Sequence, residues 1–294
     1  MQNFDYVRVH EIQDAISILS REQGGVHILA GGTDLLVQLR EGQRTAKLLL
    51  DIKSIPEVNR LAFDPSIGLT LGSAVSCLRI SRDPLVSKNY PGLVDAVSLI
   101  GGIQIQGRAS VGGNLCNASP AADTIPALIV HQAVCVIVGP DGEREVSVDK
   151  FCRAPGENIL EPGELLLSLR IPTPPAQFGA SYLRFTPRNE MDIAVVGAGA
   201  SLVLTEDLQT VRSAKIALAA VAPKPLLVNA AGEYLAGRQI SPEVIREASE
   251  LAKEAVNPIQ DMRGTVEQRR HLVGVLTRRA LQNALQRAKS KPEM

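Results

Sequence analysis

The sequence predicts an α+β protein of two compact units, on three observations. First, 294 residues exceed one small core, because a domain takes about 150 residues. Second, apolar residues make up 45% of the chain but aromatics only 3%, with no Trp. The core must therefore be built from Val, Ile, Leu and Ala, which suits helices packed on sheets. Third, helix and strand signals are mixed up to Pro172, Pro174 and Pro175, whereas beyond them strands come first and helices last. Closely spaced prolines cannot supply ladder donors and favour stiff extended backbone, so they mark a linker.

In chain order, Ala15, Ile16, Ile18 and Leu19 fall at helical spacing within 14–21, and Gly24-Gly25 ends that helix before an apolar run, 26–30. Gly31-Gly32-Thr33-Asp34 follows at once, and Leu35, Leu36, Val37 and Leu39 favour a short helix. The first glycine pair thus stands at a strand-to-helix junction. Residues 47–52 and, after the Asp64-Pro65 turn, 69–72 read as strands, and 76–81 and 92–100 as helices. The segment 103–117 has three Gly and no long apolar repeat, and reads as a loop-rich substructure. A short helix starts near Asp123-Thr124-Ile125-Pro126, and 133–138 and 165–171 are buried strands. Beyond the linker, 180–185, 194–204 and 213–221 form an antiparallel sheet. Ser241-Pro242 opens a helix with Ile245, Ala248, Leu251, Ala252 and Ala255 on one face. Thr265-Val266-Glu267-Gln268 fits a capping box for the last helix. Its apolar stripe is Leu272, Val273, Leu276 and Ala280, leaving Arg269, Arg270, Arg278 and Arg279 for a solvated face.

Thirty-one basic residues balance thirty-one acidic ones, so no broad electrostatic face exists for nucleic acid or an anionic membrane. Any anion site must be local. The start, Met1-Gln2-Asn3-Phe4-Asp5-Tyr6, lacks a basic segment followed by an apolar stretch, and no apolar run approaches the roughly 20 residues of a spanning helix. The expectation is a cytoplasmic protein without membrane insertion. Cys77, Cys116, Cys135 and Cys152 are 39, 19 and 17 residues apart with no C-x-x-C pair, and read as reduced, mostly buried thiols. His10, His27, His131 and His271 have no ligand spacing, so no metal site is expected. No G-x-S-x-G or Cys/His pairing suggests a hydrolase.

The chemistry concentrates in Ala30-Gly31-Gly32-Thr33-Asp34 and Val111-Gly112-Gly113-Asn114. Glycine pairs let backbone approach an anion with no Cβ in the way, and unpaired N–H groups point at it, so phosphate is the natural ligand. One such turn is also what any tight reversal uses. Two, about 80 residues apart, can face each other across a diphosphate, with Thr33, Ser110, Asn114 and Asn117 adding short polar donors. A dinucleotide fingerprint is not the source: in Gly197-Ala198-Gly199 the third glycine position is Leu202 and the run continues as a strand, and Gly31-Gly32-Thr33 is not G-x-G-x-x-G. Asp123 reads equally as a binder of ribose hydroxyls or as a helix cap. Any chemistry is expected to be a cofactor's.

Leu29-Ala30-Gly31-Gly32-Thr33-Asp34-Leu35, with Ser110-Val111-Gly112-Gly113-Asn114-Leu115-Cys116-Asn117-Ala118-Ser119-Pro120-Ala121-Ala122-Asp123-Thr124, resembles the FAD-binding (medium) subunit of molybdenum hydroxylases. These are the subunits of the xanthine dehydrogenase, carbon monoxide dehydrogenase and nicotinate dehydrogenase type. The likeness continues through 163–172, Asp192-Ile193-Ala194-Val195-Val196 and 261–270, and so covers nearly the whole chain. It implies a two-part FAD-binding domain of the vanillyl-alcohol-oxidase (PCMH) type at 1–175, with parts at about 1–55 and 56–175, and a C-terminal flavoprotein domain of antiparallel sheet and helices at 176–294. By the same likeness Ile28, Leu29, Ala30, Gly31, Gly32, Thr33, Asp34, Leu35, Ser110, Gly113, Asn114, Asn117 and Asp123 would contact FAD, and Leu166 would lie against the isoalloxazine. Arg184 stands where many relatives carry Lys near the flavin, exchanging a compact ammonium for a planar fork. Gln104-Ile105-Gln106-Gly107-Arg108 departs from the relatives' Gln-Ile-Arg-Asn; Arg108 either supplies the missing charge or faces solvent.

The function so implied is electron transfer. The chain would take electrons from [2Fe-2S] clusters on a small partner, after oxidation of a substrate at the molybdopterin cofactor of a large partner, and pass them to NAD or another acceptor. A dimer of heterotrimers is the implied assembly. Two other readings stand: a self-sufficient flavin oxidoreductase of the same superfamily, and a non-enzymatic nucleotide-binding scaffold subunit.

Overall fold

The computed structural model describes residues 3–22, 24–188 and 191–290; Met1 and Gln2 of the N-terminal segment lie outside them. The chain opens with β1 (Asp5–Arg8), α1 (Ile12–Arg21), β2 (Val26–Leu29), α2 (Leu35–Arg40) and β3 (Leu48–Asp51). β3 lies between β1 and β2 and runs parallel to both. Parallel neighbours need crossover connections, which the two helices supply. α1 turns Ala15 and Ile16 inward, onto a core with Val9, Leu50, Ile52 and Val58.

Next come β4 (Leu61–Asp64), β5 (Gly68–Gly72), α3 (Cys77–Arg82), α4 (Pro84–Asn89), α5 (Pro91–Val97), α6 (Ile103–Gln106), α7 (Val111–Cys116) and α8 (Thr124–Val130). They are followed by β6 (Val134–Gly139), β7 (Gly142–Ser147), β8 (Cys152–Ala154), β9 (Glu157–Asn158) and β10 (Leu165–Ile171). An antiparallel sheet forms in the order β4-β5-β10-β6-β7. The late strand β10 is central, pairing through 168–171 with the much earlier β5 and, at Leu166, with Ile137 of β6. Its register on β6 jumps from Leu166 to Ser168, leaving Leu167 as a bulge. The segment 103–117, expected as loop, contains α6 and α7. Helices of four and six residues are too short to display an apolar repeat. The sign of α7 is its cap: Ser110 Oγ accepts from the Gly113 N–H at 3.1 Å.

The rest comprises β11 (Phe178–Phe185), β12 (Val196–Leu204), β13 (Val211–Ala219), β14 (Leu226–Leu227), α9 (Asn229–Leu235), α10 (Pro242–Glu254) and α11 (Val266–Lys289). The four strands form an antiparallel sheet in sequence order. Every residue of β12 is buried. Val196, Ala198, Ala200, Leu202 and Leu204 face the core shared with α10 and α11. On the other face, a Cβ at Gly197 would overlap the Tyr182 hydroxyl and one at Gly199 would press on the Pro126 carbonyl at 3.0 Å, while Ser201 Oγ donates to the Val130 carbonyl at 2.9 Å. The Gly-Ala-Gly run is thus a strand thinned for close packing against β11 and α8. Ser241 and Thr265 cap α10 and α11 by accepting from the N–H groups of Val244 and Gln268. Among the described residues no helix is long and apolar enough to cross a membrane.

The two halves are joined by charge. Arg287 of α11 grips Asp95 of α5 with both guanidinium nitrogens, at 2.6 and 2.9 Å, and donates to the Ala180 carbonyl at 2.7 Å. Close by, His131 is buried between Tyr90 and Phe178. Burial first, and the Arg287 charge in addition, lower its pKa to about 3 against the opposing pull of Asp95. Arg269, expected on a solvated face, is 3% exposed. It donates to the carbonyls of Val195 and Ala220 at 2.6 and 3.0 Å and to Asp261 at 2.7 Å. Helical periodicity puts it beside the apolar stripe, but the turn preceding α11 folds over that edge and encloses it. Arg270, Arg278 and Arg279 are exposed.

Arg269→Ala should therefore destabilise the chain by about 3–5 kcal/mol, the cost of breaking a buried ion pair, whereas Arg270→Ala should stay within about 0.5 kcal/mol. Thermal melts of the two variants check this. The unfolded imidazole protonates near pH 6.5 and the folded one does not, so His131 costs stability as pH falls below that value. His131→Leu should narrow the stability gap between pH 7 and pH 5 by about 2 kcal/mol; melts showing the same gap in both proteins would refute this.

Candidate functional site

The glycine pairs, distant in sequence, meet in space. Gly31 leaves β2 so close to the next segment that a Cβ there would overlap the Arg108 carbonyl, and Gly32 takes a left-handed φ of +78° to turn into α2. Gly112, in α7, lies against the backbone of Ser73 just as tightly. Within the two pairs, these close approaches and the left-handed turn are what require glycine. Gly113 differs: among the described residues, its missing Cβ would touch Ser110 Oγ at 2.9 Å and nothing else within 4 Å.

The two turns line one cleft of about 890 Å³. That volume is in the range of pockets that enclose large organic ligands. Of the residues expected at a cofactor, Ile28, Ala30, Gly31, Gly32, Thr33, Asp34, Leu35, Ser110, Gly113, Asn114, Asn117 and Leu166 line it. Leu29 does not: in a strand neighbouring side chains point oppositely, and Leu29 packs with Leu39, Ala46 and Leu49 behind the cleft. Arg108 is exposed and outside the lining; only its carbonyl meets the first turn.

Polar side chains brace the walls. Thr124 Oγ1 donates to Asn114 Oδ1 at 2.6 Å, Gln38 Nε2 to Asn117 Oδ1 at 3.3 Å, and Asn158 Nδ2 to the Cys116 carbonyl at 2.9 Å. Beyond α7, Ala118 takes a φ of +48°, a left-handed conformation unusual for a residue with a Cβ, and reverses the chain toward Asp123. On the opposite wall Glu164 accepts from Arg144 twice at 2.6 Å and from the Glu161 N–H at 2.7 Å, fixing the turn that leads into Leu165 and Leu166. The charged lining residues are Glu22, Asp34, Glu161 and Glu164 against Arg44. An anion held here must therefore rely on backbone N–H groups more than on side-chain charge.

Asp123 and Arg184 come together, away from the lining. Arg184 donates to Asp123 Oδ2 at 2.6 Å, and Tyr182 to Oδ1 at 2.7 Å. Burial raises the Asp123 carboxyl above the usual carboxylate range, while Arg184 and Tyr182 oppose that rise. Burial and the adjacent carboxylate hold Tyr182 far above the ordinary phenol value, so its hydroxyl remains the donor. Asp123 caps no N–H of α8 through its side chain. The pair reaches the cleft only through the neighbouring Thr124 and its bond to Asn114.

All four cysteines are free thiols. Burial pushes Cys77 and Cys116 up to about 12 and Cys152 to about 11. Among the described residues no group of three His, Cys, Asp or Glu side chains is arranged to hold a metal ion. Sequence reasoning missed Ser73, Gln38 and Asn158. Each stands outside any motif, and only the meeting of β5, α2 and β9 with the glycine turns brings it to the cleft.

Comparison with known proteins gives this geometry a family. Residues 2–174 match the model for the FAD binding domain in molybdopterin dehydrogenase, and residues 181–284 that for the CO dehydrogenase flavoprotein C-terminal domain. The carbon monoxide dehydrogenase medium chain of Afipia carboxidovorans is 30% identical, over 98% of this chain and 99% of its own. The xanthine dehydrogenase FAD-binding subunit of Escherichia coli O157:H7 is 28% identical over 98% and 99%. The solved carbon monoxide dehydrogenase of Hydrogenophaga pseudoflava contains a chain that superposes with a TM-score of 0.93 at 27% identity, covering 97% of this chain and 98% of that one. The α+β architecture with its C-terminal antiparallel sheet is that of the medium chain. With both glycine turns on one cleft inside the matched FAD domain, the chain belongs to the family of FAD-binding medium subunits of molybdenum-containing dehydrogenases, and is an oxidoreductase flavoprotein subunit.

Proposed function

We propose that this chain is the electron relay of a molybdenum hydroxylase complex. It receives electrons from [2Fe-2S] clusters on a small partner subunit, fed by the molybdopterin cofactor of a large one, and passes them to an external acceptor such as NAD. The observation that carries this reading is the single cleft built by two glycine turns and walled by Leu166. FAD bound there supplies the exchange between one-electron and two-electron carriers. The named relatives are medium chains and FAD-binding subunits, and the Hydrogenophaga enzyme was solved in a form that lacks the Mo-pyranopterin moiety of its molybdenum cofactor. The scattered, buried thiols of this chain suit cluster ligation elsewhere. A dimer of heterotrimers is the assembly we infer, with a FAD-binding domain at 1–175 and a flavoprotein C-terminal domain at 176–294.

In this reading the backbone at 28–35 and at Ser110, Gly113, Asn114 and Asn117 holds the diphosphate and its flanking sugars, and Leu166 supports the ring. Gly113, with its open side, gives the closest approach. Leu29 shapes β2 from behind. Asp123 and Arg184 act from behind α7: their ion pair fixes the start of α8, and Thr124 transmits that position to Asn114.

Purified chain incubated with FAD should gain flavin absorbance that dithionite bleaches anaerobically; a chain with neither property refutes the reading. Gly113→Val should weaken FAD by roughly tenfold or more, about 1.4 kcal/mol, in a calorimetric titration, and an unchanged affinity would remove the second turn from the site. Thr124→Val should weaken FAD by a smaller factor, about 3–10-fold, because it frees Asn114 without removing it.

A further inference from the structure

Ser73 follows the last residue of β5 and belongs to no motif. Its N–H donates to the carbonyl of the bulged Leu167 at 3.0 Å, and its carbonyl, Cα and Cβ lie against Gly112 of the second glycine turn. The residue is therefore clamped between β10 and α7 on the floor of the cleft, which it lines while being 4% exposed. Three polar side chains of the second turn have protein partners: Ser110 the Gly113 N–H, Asn114 Thr124, Asn117 Gln38. Ser73 Oγ has none among the described residues. A buried hydroxyl without a partner is costly, and alanine would fill almost the same space without that cost.

We propose that Ser73 is a further cofactor-binding residue, whose hydroxyl turns about Cα–Cβ to bond a polar acceptor of the dinucleotide held by the second glycine turn. The inference rests on the reading of the cleft as the FAD site. Three staggered positions are open to a serine side chain, and the backbone bond to Leu167 holds the pivot still while the hydroxyl moves. Contact between Ser73 and Gly112 places that pivot directly beside the backbone that the cofactor must approach.

The test uses the full chain freed of flavin and titrated with FAD, by calorimetry and by quenching of flavin emission. The wild-type chain is compared with Ser73→Ala and with Ser73→Cys, which keeps the shape but donates poorly. Both variants should bind FAD about 5–20-fold more weakly, the loss of one hydrogen bond. Without FAD, Ser73→Ala should melt at the wild-type temperature or above it, because an orphaned hydroxyl has been removed. An unchanged affinity in Ser73→Ala, or a loss matched by a lower melting temperature without FAD, overturns the assignment. A wild-type chain that takes up no FAD overturns the cofactor reading itself, which separates the two failures.

Discussion

Backbone meeting backbone with no room for a side chain is the constraint on which the site depends. Gly31 against the Arg108 carbonyl and Gly112 against Ser73 draw the parallel sheet, the α6–α7 segment and the end of β5 to one place. A Cβ at either position would force them apart, and the cleft between them would change shape. Backbone N–H groups at such turns are neither supplied nor removed by a side-chain substitution, so the requirement falls on what is missing from the glycines. Acidic residues predominate among the cleft's charged lining, which increases that reliance.

A second layer fixes this arrangement to the rest of the molecule through polar pairs, half-buried at Asp95–Arg287 and buried at Asp123–Arg184. Asp95 with Arg287, and Asp123 with Tyr182 and Arg184, tie helices of the first half to β11 and α11 of the second. Burying charges such as Asp123 and Arg184 is expensive unless every partner is present, and the gain is more in uniqueness of geometry than in stability. Here the result is that α8, whose Thr124 orients Asn114 in the cleft, is positioned from the C-terminal half.

Much of the fold was legible in the chain. The helix and strand patterns at 14–21, 26–30, 35–39, 47–52 and 165–171 each correspond to an observed element, as do the caps at Ser241 and Thr265. What the patterns did not show was short or enclosed. α6 and α7 have too few residues for a repeat, β14 and β9 have two residues each, and Arg269 lies in the interior because a turn folds over it. Periodicity reports which side of one element is apolar and says nothing about what later chain covers its edge.

By itself the sequence pointed to the kind of site: two glycine pairs with short polar residues beside them, because these are local properties of a few residues. The family followed from their length and order. Only the tertiary structure decided which residues share the cleft. It turned Ile28 in and Leu29 out by strand alternation, paired Asp123 with Arg184 behind the wall instead of leaving it to cap α8, and set an unpartnered Ser73 on the floor. Those outcomes rest on contacts between distant parts of the chain, whose geometry exists once the sheets and helices have packed.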